Sequence, residues 1–253
     1  MTKIIAIANH KGGVGKTTTV ASVGSILASR GKRVLLIDLD AQANLTTSFI
    51  NGEPQQTIYN AMKGEQTNIV KLSDNLSILP SSLDMAGIEL EISARVQREF
   101  ILKDIIEPVE SSYDYILLDC PPSLGLVTIN AMVAAHEVYI PLTPEALPTK
   151  GLTMLLEIIS MVKKRLNPSL VHSGIIITRW ERNKLSQNVA EGLESRFGNK
   201  VFSTRIRKNV SLAEAPLMFQ DITTYAPNSN GAEDYRSLTD EILERSGDGE
   251  PQQ

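Results

Sequence analysis

The ten residues from Asn9 to Thr18 read NHKGGVGKTT, and they limit the possible folds of this chain more than any other stretch. An apolar run from Ile4 to Ala8 precedes them, and a helical pattern begins near Lys16. Glycines let a backbone curl around an anion, and the free N–H groups at the start of a helix then point at it. A strand, a glycine-rich loop and a helix in this order predict a phosphate-binding loop.

The loop carries two lysines rather than one. Lys16 would place its ammonium group at the phosphates, and Thr17 would offer a hydroxyl to Mg²⁺. The usual motif has a glycine at the position of His10, and Lys11 follows directly. A glycine-rich surface turn with solvated lysines is the alternative interpretation. The preceding strand and the Lys-Thr pair favour the nucleotide site.

Two further apolar strands are predicted to end in carboxylates. One leads into Asp38 and Asp40, and the other leads into Asp119. In open α/β sheets, ligands bind outside the carboxyl ends of the strands, so these acids are expected near the phosphate loop. An aspartate in that position holds Mg²⁺ through water. A helix cap or a turn is the alternative interpretation of Asp38.

Strands and helices alternate along most of the chain. This alternation predicts parallel strand pairing with right-handed crossovers, and hence an α/β fold with a doubly wound, mostly parallel sheet. We expect a single domain over residues 1–246 and a disordered polar tail over 247–253.

One long helix is expected over about 84–106, with its apolar side chains in the core. The residues that recur at helical spacing are Ile88, Ile92, Val96, Phe100 and Leu102.

Composition excludes several classes of protein. The chain has 253 residues, of which 42% are hydrophobic and 21% charged, as in an ordinary globular protein. No apolar run approaches the roughly 20 residues of a membrane span, and the N-terminus lacks a signal segment, so we expect a cytoplasmic protein without a membrane partner. The single cysteine, Cys120, excludes an internal disulfide and cannot by itself build a zinc or iron-sulfur site.

A basic segment stands out on an otherwise acidic chain. Between positions 179 and 208 there are eight basic and three acidic residues, a net charge of +5, whereas the whole chain carries −4. Such a segment is either a solvated face or a surface that contacts a polyanion. Its basic residues are Arg179, Arg182, Lys184, Arg196, Lys200, Arg205, Arg207 and Lys208.

Together these motifs resemble one known family, the ParA/MinD group of deviant Walker A ATPases, and most closely the short ParA/Soj partition proteins. The resemblance covers nearly the whole chain. It implies a P-loop NTPase fold of the SIMIBI type that binds ATP and Mg²⁺ and hydrolyses ATP slowly until a partner stimulates it. The matching blocks are KGGVGKTT from Lys11, DLDAQAN from Asp38, LDCPPSLG from Leu118, NVSLAEAP from Asn209 and YAPNSNGA from Tyr225.

By this resemblance, two subunits sandwich two nucleotides, and Lys11 reaches the phosphates of the ATP in the partner subunit. Lys16 would bind the β and γ phosphates. Asp40 would position the attacking water, and Asp38 would support the same network. The implied metal site comprises Thr17, Asp40 and Asp119. The implied nucleotide contacts in the loop are Lys11, Gly12, Gly13, Val14, Gly15, Lys16, Thr17 and Thr18.

The resemblance also implies nonspecific binding of double-stranded DNA by the ATP-bound dimer. The family commonly has IPRNVRLSEAP where this chain has IRKNVSLAEAP, so Arg207 replaces a proline and Ser211 replaces the arginine that usually contacts DNA. The remaining candidates for DNA contacts are Arg182, Lys184, Arg205, Arg207 and Lys208. The candidates for contacts with the adenine base are Thr178, Arg179, Arg207 and Asn209.

Several functions are open at this stage. The leading one is a nucleoid-associated partition ATPase that a ParB-type protein stimulates, and its cargo is a chromosome, a plasmid, another mobile element or a protein assembly. A MinD-like switch on a membrane surface would need a basic amphipathic C-terminal helix, but the region from Asp221 onward has eight acidic and two basic residues. An iron-protein-type reductase would need paired cysteines to hold a cluster between two subunits.

Overall fold

The computed structural model of the protein describes residues 1–144 and 149–247, and their strands form one eight-stranded sheet. The strands are β1 (Lys3–Ile7), β2 (Val34–Asp38), β3 (Val70–Lys71), β4 (Leu76–Leu79), β5 (Tyr115–Asp119), β6 (Glu137–Leu142), β7 (Val171–Trp180) and β8 (Val201–Arg207). They lie in the order β3-β4-β2-β5-β1-β6-β7-β8. All neighbouring pairs are parallel except β3 and β4, which confirms the predicted doubly wound, mostly parallel sheet.

Helices cover both faces of this sheet. They are α1 (Lys16–Ser29), α2 (Asn44–Thr47), α3 (Ile58–Met62), α4 (Ile88–Ile92), α5 (Ile101–Ile106), α6 (Leu126–Ala134), α7 (Thr149–Arg165), α8 (Lys184–Phe197), α9 (Ser211–Glu214), α10 (Ile222–Tyr225) and α11 (Asn230–Ser246). Side chains of α1 and α11 pack on one face, and side chains of α6, α7 and α8 pack on the other. The central strands are apolar throughout because both of their faces are buried.

β1 illustrates the two-sided burial. Ile4 and Ala6 belong to the core under α6, α7 and α8, whereas Ile5 and Ile7 belong to the core under α1 and α11. Successive side chains of a strand point to opposite faces, so a strand covered on both sides needs an apolar residue at every position. This requirement explains why a continuous apolar run, rather than an alternating one, precedes the glycine-rich loop.

The expected long helix over about 84–106 is wrong. The chain forms α4 and α5 instead, with turns between them. Gln97 has a φ of 56°, which a right-handed helix does not contain. Val96, expected in the core, is 91% exposed, whereas Ile92 and Leu102 are buried. The apolar spacing arose from two short helices that pack on the same core.

Residues 248–253 of the expected disordered tail lie outside the described residues. Gly247, the first residue of that tail, ends α11 with a φ of 72°. None of the helices in the described part of the chain combines the length and apolar character needed to span a lipid bilayer.

The helix that follows the glycine-rich loop lies very close to the sheet at Gly24. A Cβ built on Gly24 would lie 2.5 Å from Cδ2 of Leu36 on β2 and 3.5 Å from Cδ1 of Leu117 on β5. Both leucines are buried. Gly24 therefore sets how closely α1, and with it the loop, approaches the sheet.

We expect Gly24→Ala to lower the free energy of unfolding by about 1–3 kcal/mol, because the added methyl group overpacks a filled core. Gly192→Ala is the matched control, since a Cβ at this position of α8 meets nothing within 4 Å. Helix propensity alone should make that control more stable by up to about 1 kcal/mol. Urea unfolding measures both variants. A neutral or stabilised Gly24→Ala protein would contradict the close approach of α1.

Candidate functional site

The glycine-rich loop joins β1 to α1 and is held in place by three side-chain hydrogen bonds. Asn9 Nδ2 donates to the carbonyl oxygen of Pro141 at 2.7 Å, and the Lys11 amide donates to Asn9 Oδ1 at 3.1 Å. Thr178 Oγ1 donates to the carbonyl oxygen of Val14 at 2.8 Å. These bonds tie the loop to the ends of β6 and β7. They hold the backbone of the loop against the sheet.

Two glycines give the loop its curl. Gly13 and Gly15 have φ values of 72° and 88°, in the left-handed region that favours glycine. α1 begins immediately afterwards at Lys16, without a side-chain cap. The first amides of α1 therefore have no capping acceptor, which is the arrangement that binds phosphate oxygens.

The two lysines of the loop occupy different environments. Lys16 is 7% exposed, and its Nζ donates to the carbonyl oxygen of Lys11 at 3.3 Å, so its side chain crosses the inside of the loop. Lys11 itself is exposed. One ammonium group is thus held within the loop, while the other lies on the surface of the protein.

Asp119 ends β5 directly beside the loop. It lies opposite Ile7 of β1 on one side and Asp38 of β2 on the other. Both of its carboxylate oxygens are buried without a hydrogen-bonding partner among the described residues. Burial raises the pKa of Asp119 well above its usual value, and the charge of Asp38 raises it further, whereas the Thr17 hydroxyl and the Lys16 ammonium lower it.

Asp38, unlike Asp119, has hydrogen-bonding partners within the protein. Its carboxylate is fully buried and accepts hydrogen bonds from the amide and hydroxyl of Thr46, both at 2.8 Å, and from the Asp40 amide at 3.1 Å. Burial raises its pKa to about 6, although these hydrogen bonds act in the opposite direction. Asp38 does not line the cleft, whereas Asp40 does. Of the two aspartates, Asp40 is the one that can reach a ligand.

The residues around Asp119 suit Mg²⁺. This cation prefers oxygen ligands and keeps several waters, and the partnerless oxygens of Asp119 and the Thr17 hydroxyl offer hard donors of that kind. The described residues contain no group of three or more His, Cys, Asp or Glu side chains that could hold a metal ion by themselves. A metal here would therefore complete its coordination with phosphate oxygens and water.

A cleft of about 1000 Å³ runs from the loop along the N-terminal half of α1. Its phosphate end is lined by the loop, with Thr17, Thr18 and Asp40. The cleft is also lined by the four candidates for adenine contacts, which are Thr178, Arg179, Arg207 and Asn209. The cleft thus brings together the nucleotide-contacting residues expected from the sequence, except that Lys11 and Val14 are not part of its lining.

Sequence reasoning missed other residues of the cleft and of its frame. The cleft is also lined by Phe219 and Ile222, which follow α9 and carry no nucleotide motif, and by Pro216, the last residue of the NVSLAEAP block. Thr46 and Ser81 support the acidic edge from behind. Of these residues, only Asn9 could have been predicted from the sequence. The side chain of an Asn in a turn often accepts a hydrogen bond from the backbone amide two residues later, as Asn9 does from Lys11.

The candidate DNA-contacting residues divide into two groups. Arg205 forms an ion pair with Glu194, and Lys208 Nζ lies 2.8 Å from Glu181 Oε1. Arg207 Nη2 lies 2.6 Å from Asp234 Oδ1 and 2.6 Å from Glu233 Oε2. Arg182 and Lys184 are exposed and have no ion pair with other described residues. Among these five candidates, Arg182 and Lys184 therefore have the most accessible positive charges.

Comparisons with known proteins agree with this geometry. A family model described as an AAA domain matches residues 2–172. The sporulation initiation inhibitor protein Soj of Bacillus subtilis is 42% identical over 249 residues, which is 96% of this chain and 98% of that protein. The chain belongs to the ParA/Soj family of ATPases. A second member, the chromosome-partitioning ATPase Soj of Treponema pallidum, is 40% identical over 98% of this chain and 99% of its own length.

A solved structure shares both the fold and the ligand type expected for the ParA/Soj family. It is a Mycobacterium smegmatis protein described as cobyrinic acid a,c-diamide synthase, with bound ADP and magnesium. It superposes with a TM-score of 0.87 at 33% identity, covering 99% of this chain and 97% of that chain.

We expect Asp119→Asn to raise the free energy of unfolding of the nucleotide-free protein at pH 7.5 by about 1–3 kcal/mol, because it removes a buried charge whose oxygens accept no hydrogen bond from the described residues. The same variant should lose the Mg²⁺-dependent part of its ATP affinity. The folded-state pKa of Asp119 is raised, so the cost of its charge is small at pH 4, close to the ordinary pKa, and grows as the pH rises toward the folded-state pKa. Chemical unfolding at both pH values measures this difference.

Asp74→Asn is the control for this prediction, because the Asp74 side chain is 98% exposed and its removal should change stability by less than about 0.5 kcal/mol. An Asp119→Asn protein that is less stable than the wild type at pH 7.5 would contradict the interpretation of Asp119.

Proposed function

We propose that this protein is an ATP-dependent dimeric switch that binds DNA. In the ATP-bound state two copies would pair across their nucleotides and bind double-stranded DNA nonspecifically on the nucleoid. A ParB-type partner would stimulate hydrolysis and release the dimer, so that DNA cargo is segregated or positioned. The single observation that carries the proposal is the placement of buried Lys16 and exposed Lys11 in one phosphate-binding loop.

ATP would bind with its phosphates in the glycine-rich loop. Lys16 would contact the β and γ phosphates, and the first amides of α1 would bind phosphate oxygens. Thr17 and, through water, Asp119 would hold Mg²⁺, which supplies charge neutralisation at the phosphates. The partnerless oxygens of Asp119 support this assignment, because a buried carboxylate needs a cation or a donor nearby.

Hydrolysis needs a water held in line with the γ-phosphate. Asp40 lines the cleft, and its backbone is fixed by a hydrogen bond from its amide to Asp38. An oriented carboxylate at this position would accept a hydrogen bond from the water and direct its attack. Asp38, which is buried behind Asp40, would act only by holding it.

Lys11 would make dimerisation depend on ATP. An exposed ammonium group can contact the phosphates of a second copy, and the γ-phosphate offers charge to it only while ATP is intact. Each charge-assisted hydrogen bond that is lost on hydrolysis weakens the dimer by roughly 1.5–3 kcal/mol, about ten- to a hundredfold in affinity. Phosphate release would therefore separate the subunits.

DNA binding would rely on the basic residues that follow β7. Arg182 and Lys184 lie beyond the carboxyl end of this strand, at the same edge of the sheet as the phosphate loop. Their accessible charges can neutralise DNA phosphates. Arg205, Arg207 and Lys208 would contribute less, because each already pairs with an acidic side chain.

The two alternative functions find less support in the structure. A MinD-like switch would need an apolar face on the C-terminal helix, but the apolar side of α11 is buried against the core through Tyr235, Leu238 and Ile242. An iron-protein-type reductase would need accessible paired cysteines, whereas Cys120 is the single cysteine of the chain and is buried.

We expect the three site variants to differ in their response to ATP and Mg²⁺. Lys11→Ala should bind ATP as a monomer and fail to dimerise, because the contact across the interface is lost. Lys16→Ala should lose nucleotide affinity itself. Asp40→Ala should accumulate a long-lived ATP dimer, because its water is no longer directed. Light scattering coupled to size exclusion measures the assembly, and fluorescent nucleotide titration measures the affinity.

Lys103→Ala is the matched lysine control, since this exposed residue on α5 does not line the cleft. It should behave as the wild type. A Lys11→Ala protein that still dimerises with ATP would exclude the role of Lys11 across the interface.

We expect DNA affinity to depend on the accessible basic pair. Arg182→Ala and Lys184→Ala should each reduce the slope of log affinity against log salt concentration by about 1 per subunit, or about 2 for the dimer, because each removes one phosphate contact from each subunit. Lys208→Ala is the comparison, and its change should be smaller because Lys208 is already paired with Glu181. Fluorescence anisotropy with a duplex at several salt concentrations, with ATP and Mg²⁺ present, measures the slopes. Wild-type protein that stays folded but binds no duplex at low salt would refute the DNA part of the proposal.

A further inference from the structure

A closed ring of hydrogen bonds lies behind the acidic edge of the cleft. Thr46 Oγ1 on α2 donates to Asp38 Oδ2 at 2.8 Å, and it accepts from the amide of Ser81, which follows β4, at 2.8 Å. Ser81 Oγ donates to the carbonyl oxygen of Asp40 at 2.8 Å. The Asp40 amide then donates to Asp38 Oδ1 at 3.1 Å, which closes the ring.

The ring is buried, and two of its members do not reach the ligand. Thr46 and Ser81 are each 1% exposed, and neither lines the cleft. The Thr46 hydroxyl donates one hydrogen bond and accepts another, and the Ser81 hydroxyl donates one. Each hydroxyl of the ring therefore has a hydrogen-bonding partner. A fully satisfied buried network of this kind restricts the segments it joins to one arrangement.

The segment that the ring restricts is the one that carries Asp40. Both the amide and the carbonyl oxygen of Asp40 are bound by the ring, while its side chain lines the cleft. The carboxylate is further oriented by the Gln42 amide, which donates to Asp40 Oδ1 at 3.0 Å. The position of this carboxylate therefore depends on residues from three different parts of the chain.

We propose that Thr46 and Ser81 are positioning residues for ATP hydrolysis, which hold Asp40 at the distance from the phosphates that turnover requires. This inference rests on the proposed function, in which Asp40 orients the attacking water. Misplacement by about 1 Å is enough to lower a rate about a hundredfold. ATP affinity comes mainly from the loop after β1 and is independent of the ring.

The test compares Thr46→Val, which keeps the shape but removes the hydroxyl, with Thr46→Ser, which keeps the hydroxyl. Thr46→Val should lower kcat by about 10- to 100-fold while the KM for ATP changes less than about threefold, and Thr46→Ser should restore most of the rate. Ser81→Ala, which removes only the bond to the Asp40 carbonyl, should lower kcat in the same way. Rates are measured on monodisperse protein with ATP, Mg²⁺ and duplex DNA.

Thr239→Val is the matched control, because Thr239 is also fully buried and its hydroxyl donates only to the carbonyl oxygen of Tyr235 within α11. It should lower stability without lowering kcat. Amide hydrogen exchange provides a readout that does not depend on activity: in Thr46→Val the Ser81 amide loses its acceptor and should exchange faster, while the amides of the phosphate loop are unchanged.

The outcomes separate this inference from the proposed function. Wild-type protein that binds nucleotide but never hydrolyses ATP would contradict the proposed function and the positioning role with it. A hydrolysing wild type with an equally fast Thr46→Val variant would overturn the positioning role alone. Unchanged exchange at Ser81 in Thr46→Val would overturn the ring itself. A loss of rate in Thr46→Val that Thr46→Ser does not restore would also contradict the positioning role of the Thr46 hydroxyl.

Discussion

Three parallel strands hold the reactive groups of this protein at one edge of its sheet, and every feature of the site depends on that alignment. β1, β5 and β2 are neighbours, and their register places Ile7, Asp119 and Asp38 side by side. The glycine-rich loop starts where β1 ends, so it necessarily lies against two buried carboxylates. Carboxylates repel one another and lose their hydration on burial. The apolar cores on both faces of the sheet, rather than any attraction between the charged groups, bring them together.

Each charged group of the site is stabilised differently, and the difference defines its role. Asp38 is satisfied by hydrogen bonds from the protein and is withdrawn from the cleft. Asp119 is buried, and its oxygens have no hydrogen-bonding partner among the described residues. Lys16 is held inside the loop, whereas Lys11 is exposed. In the proposed cycle, buried Asp38 belongs to the frame, whereas Lys16, Asp119 and the exposed Lys11 respond to ATP.

Much of this arrangement could be predicted from the sequence, and local signals explain why. The pattern of the first strand, loop and helix occurs in no other segment of the sequence. α1 begins at Lys16, as predicted. The expected acids lie at the ends of β2 and β5. These features depend on residues close together in the chain, so periodicity and glycine spacing suffice to find them.

The rest depended on contacts between distant residues. The ring that joins Thr46 and Ser81 to Asp40 links three segments, and none of them shows the pairing in its own residues. The ion pairs of Arg207 with Asp234 and of Lys208 with Glu181 remove charge that a count along the chain registers as accessible. The left-handed backbone at Gln97 separates α4 from α5, and helical spacing of the apolar residues does not reveal it, because both helices pack on the same core.

In the proposed function, intact ATP, and not nucleotide in general, would hold two copies of this protein together. Sedimentation equilibrium of the wild-type chain with Mg²⁺ tests it most directly, by measuring the dimer dissociation constant with a non-hydrolysable ATP analogue and with ADP. We expect a dissociation constant at least about tenfold lower with the analogue, because each additional charge-assisted hydrogen bond contributes roughly 1.5–3 kcal/mol. Equal constants with the two nucleotides would contradict it.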